Sequence, residues 1–184
     1  MEYIFITLGL WSALILFWLV AGKVDSKSTL QSETFSFVKL IGSSLIVYLP
    51  LFFGGLFASK LYDNSSLLGI VGILVVAVGV YFAIWARLTL GTNWSGKIMI
   101  QKEHRLITVG PYSLTRHPIY FGGLLAILGS CLVLGQVFGF ICLILFVFGL
   151  VVKSKQEEEL LKKQFPNQYS SYSRRVKMLL PYIY

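Results

Sequence analysis

Charge is scarce in this chain. Only 13% of its 184 residues are Asp, Glu, Lys or Arg, about half the share of an ordinary soluble domain. Acidic residues are the scarcest, eight against sixteen basic ones. With 56% hydrophobic residues and a mean hydropathy of +0.75, that shortage excludes a soluble globular domain. Cysteine is nearly absent. Cys131 and Cys142 both lie inside apolar runs, where they read as small hydrophobes without a disulfide framework. The two histidines, His104 and His117, have no metal-ligand spacing, so no metal is expected. No glycine-rich loop joins a strand to a helix, which excludes a dinucleotide-binding crevice. There is no internal repeat and no low-complexity linker. The net charge of +8 comes from basic residues that flank apolar runs. It therefore points to membrane orientation and not to nucleic acid. The first apolar run lacks a basic leader and a convincing cleavage site, so it reads as a helix and not as a signal peptide.

What the chain has is long apolar segments. A membrane span needs about 20 apolar residues in a row. Tyr3–Ala21 is the first candidate, Phe37–Ala58 the second, with a kink at Pro50, and Leu67–Ala86 the third. Pro118–Val152 runs 35 residues without a charge, which suits two spans turning near Gly135 and Gln136. The expectation is an all-α integral membrane protein with five transmembrane helices, the last two a hairpin. It forms a single membrane domain, residues 1–184, with two N-terminal helices in 1–66 and a catalytic core in 67–184. Fifteen of the sixteen Lys and Arg residues fall on one side of such a chain, and only Lys60 falls on the other. The positive-inside rule then puts the N-terminus outside and the C-terminus in the cytosol.

The tail is different in kind. "KSKQEEELLKKQF" extends the last span, and Pro166 suits the first turn of a new helix. Leu161, Phe165, Tyr169, Tyr172 and Val176 recur at helical spacing. This stripe fits either the membrane surface or a cytosolic loop.

An antiparallel hairpin puts both its ends on one side. Arg116, His117 and Tyr120 are thereby expected beside Glu157 and Glu158, and the loop from Arg87 to Arg116 must close over them. Pro118 opens a helix whose free N–H groups attract anions, and Arg116 adds a bidentate fork. Glu157 and Glu158 favour a cation or a pair of ribose hydroxyls. Tyr112, His117 and Tyr120 offer aromatic faces. Each residue alone has a plainer reading. Arg116 suits a membrane anchor, His117 a cap, the tyrosines an interfacial belt, and "QEEELLKK" a solvated helix pairing Glu158 with Lys162 and Glu159 with Lys163.

The combination is more specific. "HRLITVGPYSLTRHPIYFGG", an apolar hairpin and then "EEELLKKQFPNQYSSYSRRVKMLLP" together resemble the isoprenylcysteine carboxyl methyltransferase family and its prokaryotic relatives. "RLTLGTNWSGKI" upstream is also typical of the prokaryotic members. The resemblance covers roughly Arg87 to Pro181. It implies an enzyme of a prokaryotic inner membrane that uses S-adenosylmethionine. Cytosolic loop and amphipathic C-terminal helices would close the cofactor pocket. Carried over by motif position, the cofactor contacts are Gln101, His104, Arg105, Leu106, Ile107, Tyr112, His117, Pro118, Ile119, Tyr120 and Glu157. Arg116 and Glu158 support the pocket. Pro166 stands where the family usually has Gly. Lys153 stands where the eukaryotic members have an Arg that contacts substrate, and Lys lacks the fork.

The expected acceptor is lipophilic and anionic, a carboxylate or a thiolate, and enters from the bilayer among membrane lipids. Arg87 and Lys153 are the cations placed to orient it. Two rival readings remain. The ending "YSRRVKMLLPYIY" also resembles NADPH-dependent sterol reductases, and a non-catalytic lipid-binding protein is the third possibility.

Overall fold

The computed structural model describes residues 2–24, 59–62, 66–91 and 106–184. The expected second span Phe37–Ala58, and the expected contacts Gln101, His104 and Arg105, lie outside the described residues. Helix α1 is Glu2–Val24, α2 Ser66–Leu90, α3 Pro118–Leu134, α4 Val137–Gln164 and α5 Pro166–Arg175. Among the described residues, α1, α2 and α4 are long and apolar enough to cross a membrane, and α3 is a shorter apolar helix.

These helices form because they are apolar nearly all the way round, which suits a lipid surround. In α1 the stripe Trp11, Leu14 and Trp18 is buried, while Phe5, Leu16 and Val20 on the other face are exposed. The buried stripe joins Val76, Val80 and Ala83 of α2 and Ala126, Ile127 and Cys131 of α3 in one core. Trp11 Nε1 donates to Ser130 Oγ at 3.1 Å, so the one indole polar atom in this contact is satisfied.

Helices α2 and α3 lie backbone to backbone. A Cβ built on Gly79 would sit 2.5 Å from the Gly122 carbonyl oxygen, and one on Gly129 would sit 2.5 Å from that of Gly72. Small residues seven apart on each helix thus permit antiparallel contact that any side chain would prevent.

Helix α3 starts with Pro118 after the N-cap His117 and ends at Gly135, whose φ of 64° is left-handed. Gln136 then caps α4. Segment 59–62 secures this end. Leu61 N donates to Gly135 O at 2.8 Å, and Val137 N donates to Ser59 O at 3.0 Å. At 1.5 Å per residue α3 is about 25 Å long and α4 about 42 Å. The second exceeds a hydrocarbon core of about 30 Å, so its last turns project beyond the level where α3 begins. Lys153 to Glu158 therefore lie level with His117.

The chain after α5 returns to the same place. Leu179 packs between Leu124 of α3 and Leu150 of α4. Of the two locations open to the tail stripe, the structure shows burial against the protein for Tyr169 and Tyr172.

Candidate active site

Segment 109–117 forms the floor of the site. Gly110, at a φ of 60°, opens a 3-10 turn over Gly110–Ser113. This turn buries Pro111 and Tyr112. Thr115 is fully buried, and its Oγ1 donates toward the carbonyls of Met178 at 2.9 Å and Leu179 at 3.1 Å. Arg116 N donates to Lys177 O at 2.9 Å, and His117 N donates to Met178 O at 3.1 Å. A short parallel pairing of Thr115 with Lys177 results. The residue before a proline is disfavoured in the helical region, His117 sits at φ −123° and ψ 63°, and the tail supplies partners for its backbone.

The structure brings Arg116, His117, Tyr120, Glu157 and Glu158 together. Arg116 Nε donates to Glu158 Oε1 at 2.7 Å. His117 Nδ1 lies 3.4 Å from Glu157 Oε2, and its Nε2 lies 3.4 Å from Glu158 Oε1. Tyr120 OH donates to Glu157 Oε1 at 2.5 Å. The His117 and Tyr120 rings stack, 5.5 Å apart and 8° from parallel. Lys153 Nζ lies 5.2 Å from the centroid of the Tyr120 ring.

One expectation changes. Arg116 does not present its fork outward to an anion. Its Nη1 donates to Ser173 O at 2.8 Å and Val176 O at 3.0 Å, and its Nε is taken by Glu158. One acceptor is the buried Glu158 carboxylate and the other two are half-buried carbonyls, and the charge-assisted bonds to them occupy the guanidinium. Glu158 is buried and paired with Arg116, beside which it is expected, so the plainer reading of a solvated Glu158–Lys162 pair does not apply to it. Glu159 stays exposed.

Electrostatics follow from this packing. Burial alone would depress the His117 imidazole. Hydrogen bonding to Glu157 and Glu158 and their charges outweigh it and hold the pKa above the ordinary value. Burial, reinforced by Tyr172 and Glu157, pushes the Tyr112 phenol well up, and Arg87 opposes them. Tyr112 therefore stays a neutral donor, within the field of both Glu157 and Arg87. Arg87 is buried at the end of α2, and its Nη1 donates to Gly91 O at 3.0 Å. Pro118 is buried, Leu106 and Ile107 are half-buried, and Ile119 is half-buried against the helix core. Among the described residues no cluster of three His, Cys, Asp or Glu side chains suits a metal ion.

Sequence reasoning missed Thr115, Tyr172 and the pairing of segment 177–179 with the floor. Tyr172 OH donates to Tyr112 O at 2.6 Å. The helical stripe marked Tyr172 as apolar-facing, but no pattern names a backbone carbonyl 60 residues away.

A bundle of membrane-length helices with a carboxylate and aromatic cluster at one end matches a known architecture. The solved eukaryotic intramembrane Ras methyltransferase, isoprenylcysteine carboxyl methyltransferase, superposes with a TM-score of 0.64 at 22% identity, over 99% of this chain and 66% of that one. In sequence, the phospholipid methyltransferase family matches residues 67–168, and the chain belongs to that family. Protein-S-isoprenylcysteine O-methyltransferase B of Arabidopsis thaliana is 29% identical over 168 residues, 89% of this chain and 81% of that protein. The cobalt-zinc-cadmium resistance protein CzcN of Cupriavidus metallidurans is 30% identical over 131 residues, 68% of this chain and 56% of that protein. The motifs that resemble isoprenylcysteine methyltransferases thus lie mostly inside the matched region.

Proposed function

We propose that this protein is an integral membrane methyltransferase that uses S-adenosylmethionine and acts on a lipophilic, anionic acceptor. The observation that carries the reading is the meeting of Glu157 with His117 and Tyr120, at the level where α3 begins. A carboxylate has about four acceptor positions. Tyr120 and His117 take two, which leaves room for ribose hydroxyls or an ammonium group. The donor set therefore fits the cofactor, with Tyr112, His117 and Tyr120 as its aromatic walls. The resemblance adds Gln101, His104, Arg105, Leu106 and Ile107 to that wall. When bound, S-adenosylmethionine supplies an electrophilic methyl group on a sulfonium.

The chain's own residues then position and desolvate the reactants. His117 has both ring nitrogens turned to carboxylates, Nδ1 to Glu157 and Nε2 to Glu158, each 3.4 Å away, and is poorly disposed to act as a base toward an acceptor. A carboxylate or thiolate acceptor needs none, so the site favours an anionic one. The Arabidopsis relative is named for a prenylated cysteine carboxylate, and that is the acceptor class we assign first. It enters from the bilayer, and Lys153, beside Tyr120, steers its anion.

The same reading includes five spans, an external N-terminus, a cytosolic C-terminus and a prokaryotic inner membrane. Reporter fusions at Tyr184 and near Gln136 should report opposite sides. For the activity, purified protein in detergent is titrated with S-adenosylhomocysteine and with NADPH, then incubated with labelled cofactor and a prenylcysteine carboxylate. Binding of the first ligand and label transfer are expected. Binding of NADPH alone would move the protein to the reductases.

A further inference from the structure

Helix α5 and the tail that follows it make more polar contacts with the floor of the site than a simple surface segment requires. Arg116 reaches two of their carbonyls, Thr115 two more, and two backbone N–H groups of the floor pair with Lys177 and Met178. A further contact is the Tyr172 hydroxyl, which donates to the Tyr112 carbonyl at 2.6 Å. Tyr172 is 4% exposed and Tyr112 8%. A buried carbonyl deprived of its donor loses more than an exposed one. The backbone that carries the buried Tyr112 ring is thus held by Tyr172.

We propose that Tyr172 is a positioning residue for the cofactor site, acting through Tyr112, and that cofactor binding and tail docking are coupled through it. The inference rests on the proposed function, because Tyr112 matters here only if it faces a cofactor. Coupling of this kind is reciprocal. If the docked tail tightens the cofactor, the cofactor must tighten the tail. Arg174, Arg175 and Lys177 are exposed, so trypsin reports tail undocking directly.

Two measurements test it. Tyr172→Phe removes one oxygen and keeps the ring. S-adenosylhomocysteine affinity and the KM for cofactor are expected to weaken about tenfold, while kcat and the acceptor KM stay within about twofold. A folded Tyr172→Phe variant with unchanged cofactor affinity overturns the proposal. So does an equal loss in every kinetic constant, which is the mark of general destabilisation. The second measurement uses the wild-type chain. Saturating S-adenosylhomocysteine is expected to slow tryptic cleavage at Arg174, Arg175 and Lys177 at least threefold, and NADPH is not. Unchanged cleavage in a protein that binds S-adenosylhomocysteine overturns the coupling. A wild-type protein that does not bind S-adenosylhomocysteine overturns the proposed function instead.

Discussion

Arg116 and Glu158 come from the two ends of a 43-residue stretch and meet at 2.7 Å, both side chains largely shielded from water. The same guanidinium holds Ser173 O and Val176 O. One side chain thus joins the start of α3, the extension of α4 and the tail. Breaking a buried ion pair by removing one partner costs about 3–5 kcal/mol. Arg116→Met should lower thermal stability by about that amount. Glu158→Gln should cost less, because Arg116 keeps its two carbonyls. The double variant should cost less than the sum of the two, as denaturation in detergent would reveal. Strict additivity would mean that the two residues do not act on each other.

The raised pKa of His117 sets a pH dependence. The imidazolium–carboxylate contact is fully present below the ordinary histidine value of about 6.5. It is lost as pH rises through the higher value of the folded state. The melting temperature should therefore fall on the alkaline side of that window. His117→Gln, neutral throughout, should flatten the fall. Parallel curves for the two proteins would assign the titration to another group.

Glu157 and Glu159 are two residues apart on α4 but face differently, the first toward His117 and the second into solvent. Glu157→Ala should weaken S-adenosylhomocysteine about tenfold to a hundredfold, the loss of one charge-assisted hydrogen bond. Glu159→Ala should leave it unchanged. Calorimetric titration of both variants distinguishes them.

Neighbouring glycines on α3 should behave oppositely. A Cβ on Gly122 would lie 2.6 Å from Gly79 O, whereas one on Gly123 meets nothing within 4 Å. Gly122→Ala should force α2 and α3 apart and cost about 1–3 kcal/mol. Gly123→Ala should be neutral or slightly stabilising, since alanine favours helix by about 1 kcal/mol. Expression level and thermal melting would show the difference.

Lys153 lies against Tyr120, at the boundary between the apolar part of α4 and its extension. Lys153→Ala should raise the acceptor KM about tenfold and leave S-adenosylhomocysteine affinity unchanged. Lys153→Arg restores a fork and should improve a carboxylate acceptor. An unaffected KM in the alanine variant would return Lys153 to a membrane anchor.

Much of this protein is determined by local chemistry and can be read without coordinates. Apolar runs of membrane length give the helices, because an unpaired backbone cannot exist in lipid. Pro118, Gly135 and Pro166 mark helix ends, because each fixes or frees a single φ. The approach of His117 and Tyr120 to Glu157 follows from connectivity alone, since two adjoining helices of known rise must return to one level. What only the tertiary structure decided is where side chains with several possible partners are spent. Arg116 suited an anion equally well in sequence, but α5 and the tail bring two half-buried carbonyls within its reach. Glu158 suited Lys162 on a solvated helix, but the desolvated Arg116 is the stronger partner. Tyr172 and Thr115 carry no motif for backbone carbonyls some 60 residues away. The seven-residue spacing of Gly72 with Gly79 and of Gly122 with Gly129 was present in the sequence. Its meaning, contact between two backbones, appears only when α2 and α3 are laid side by side.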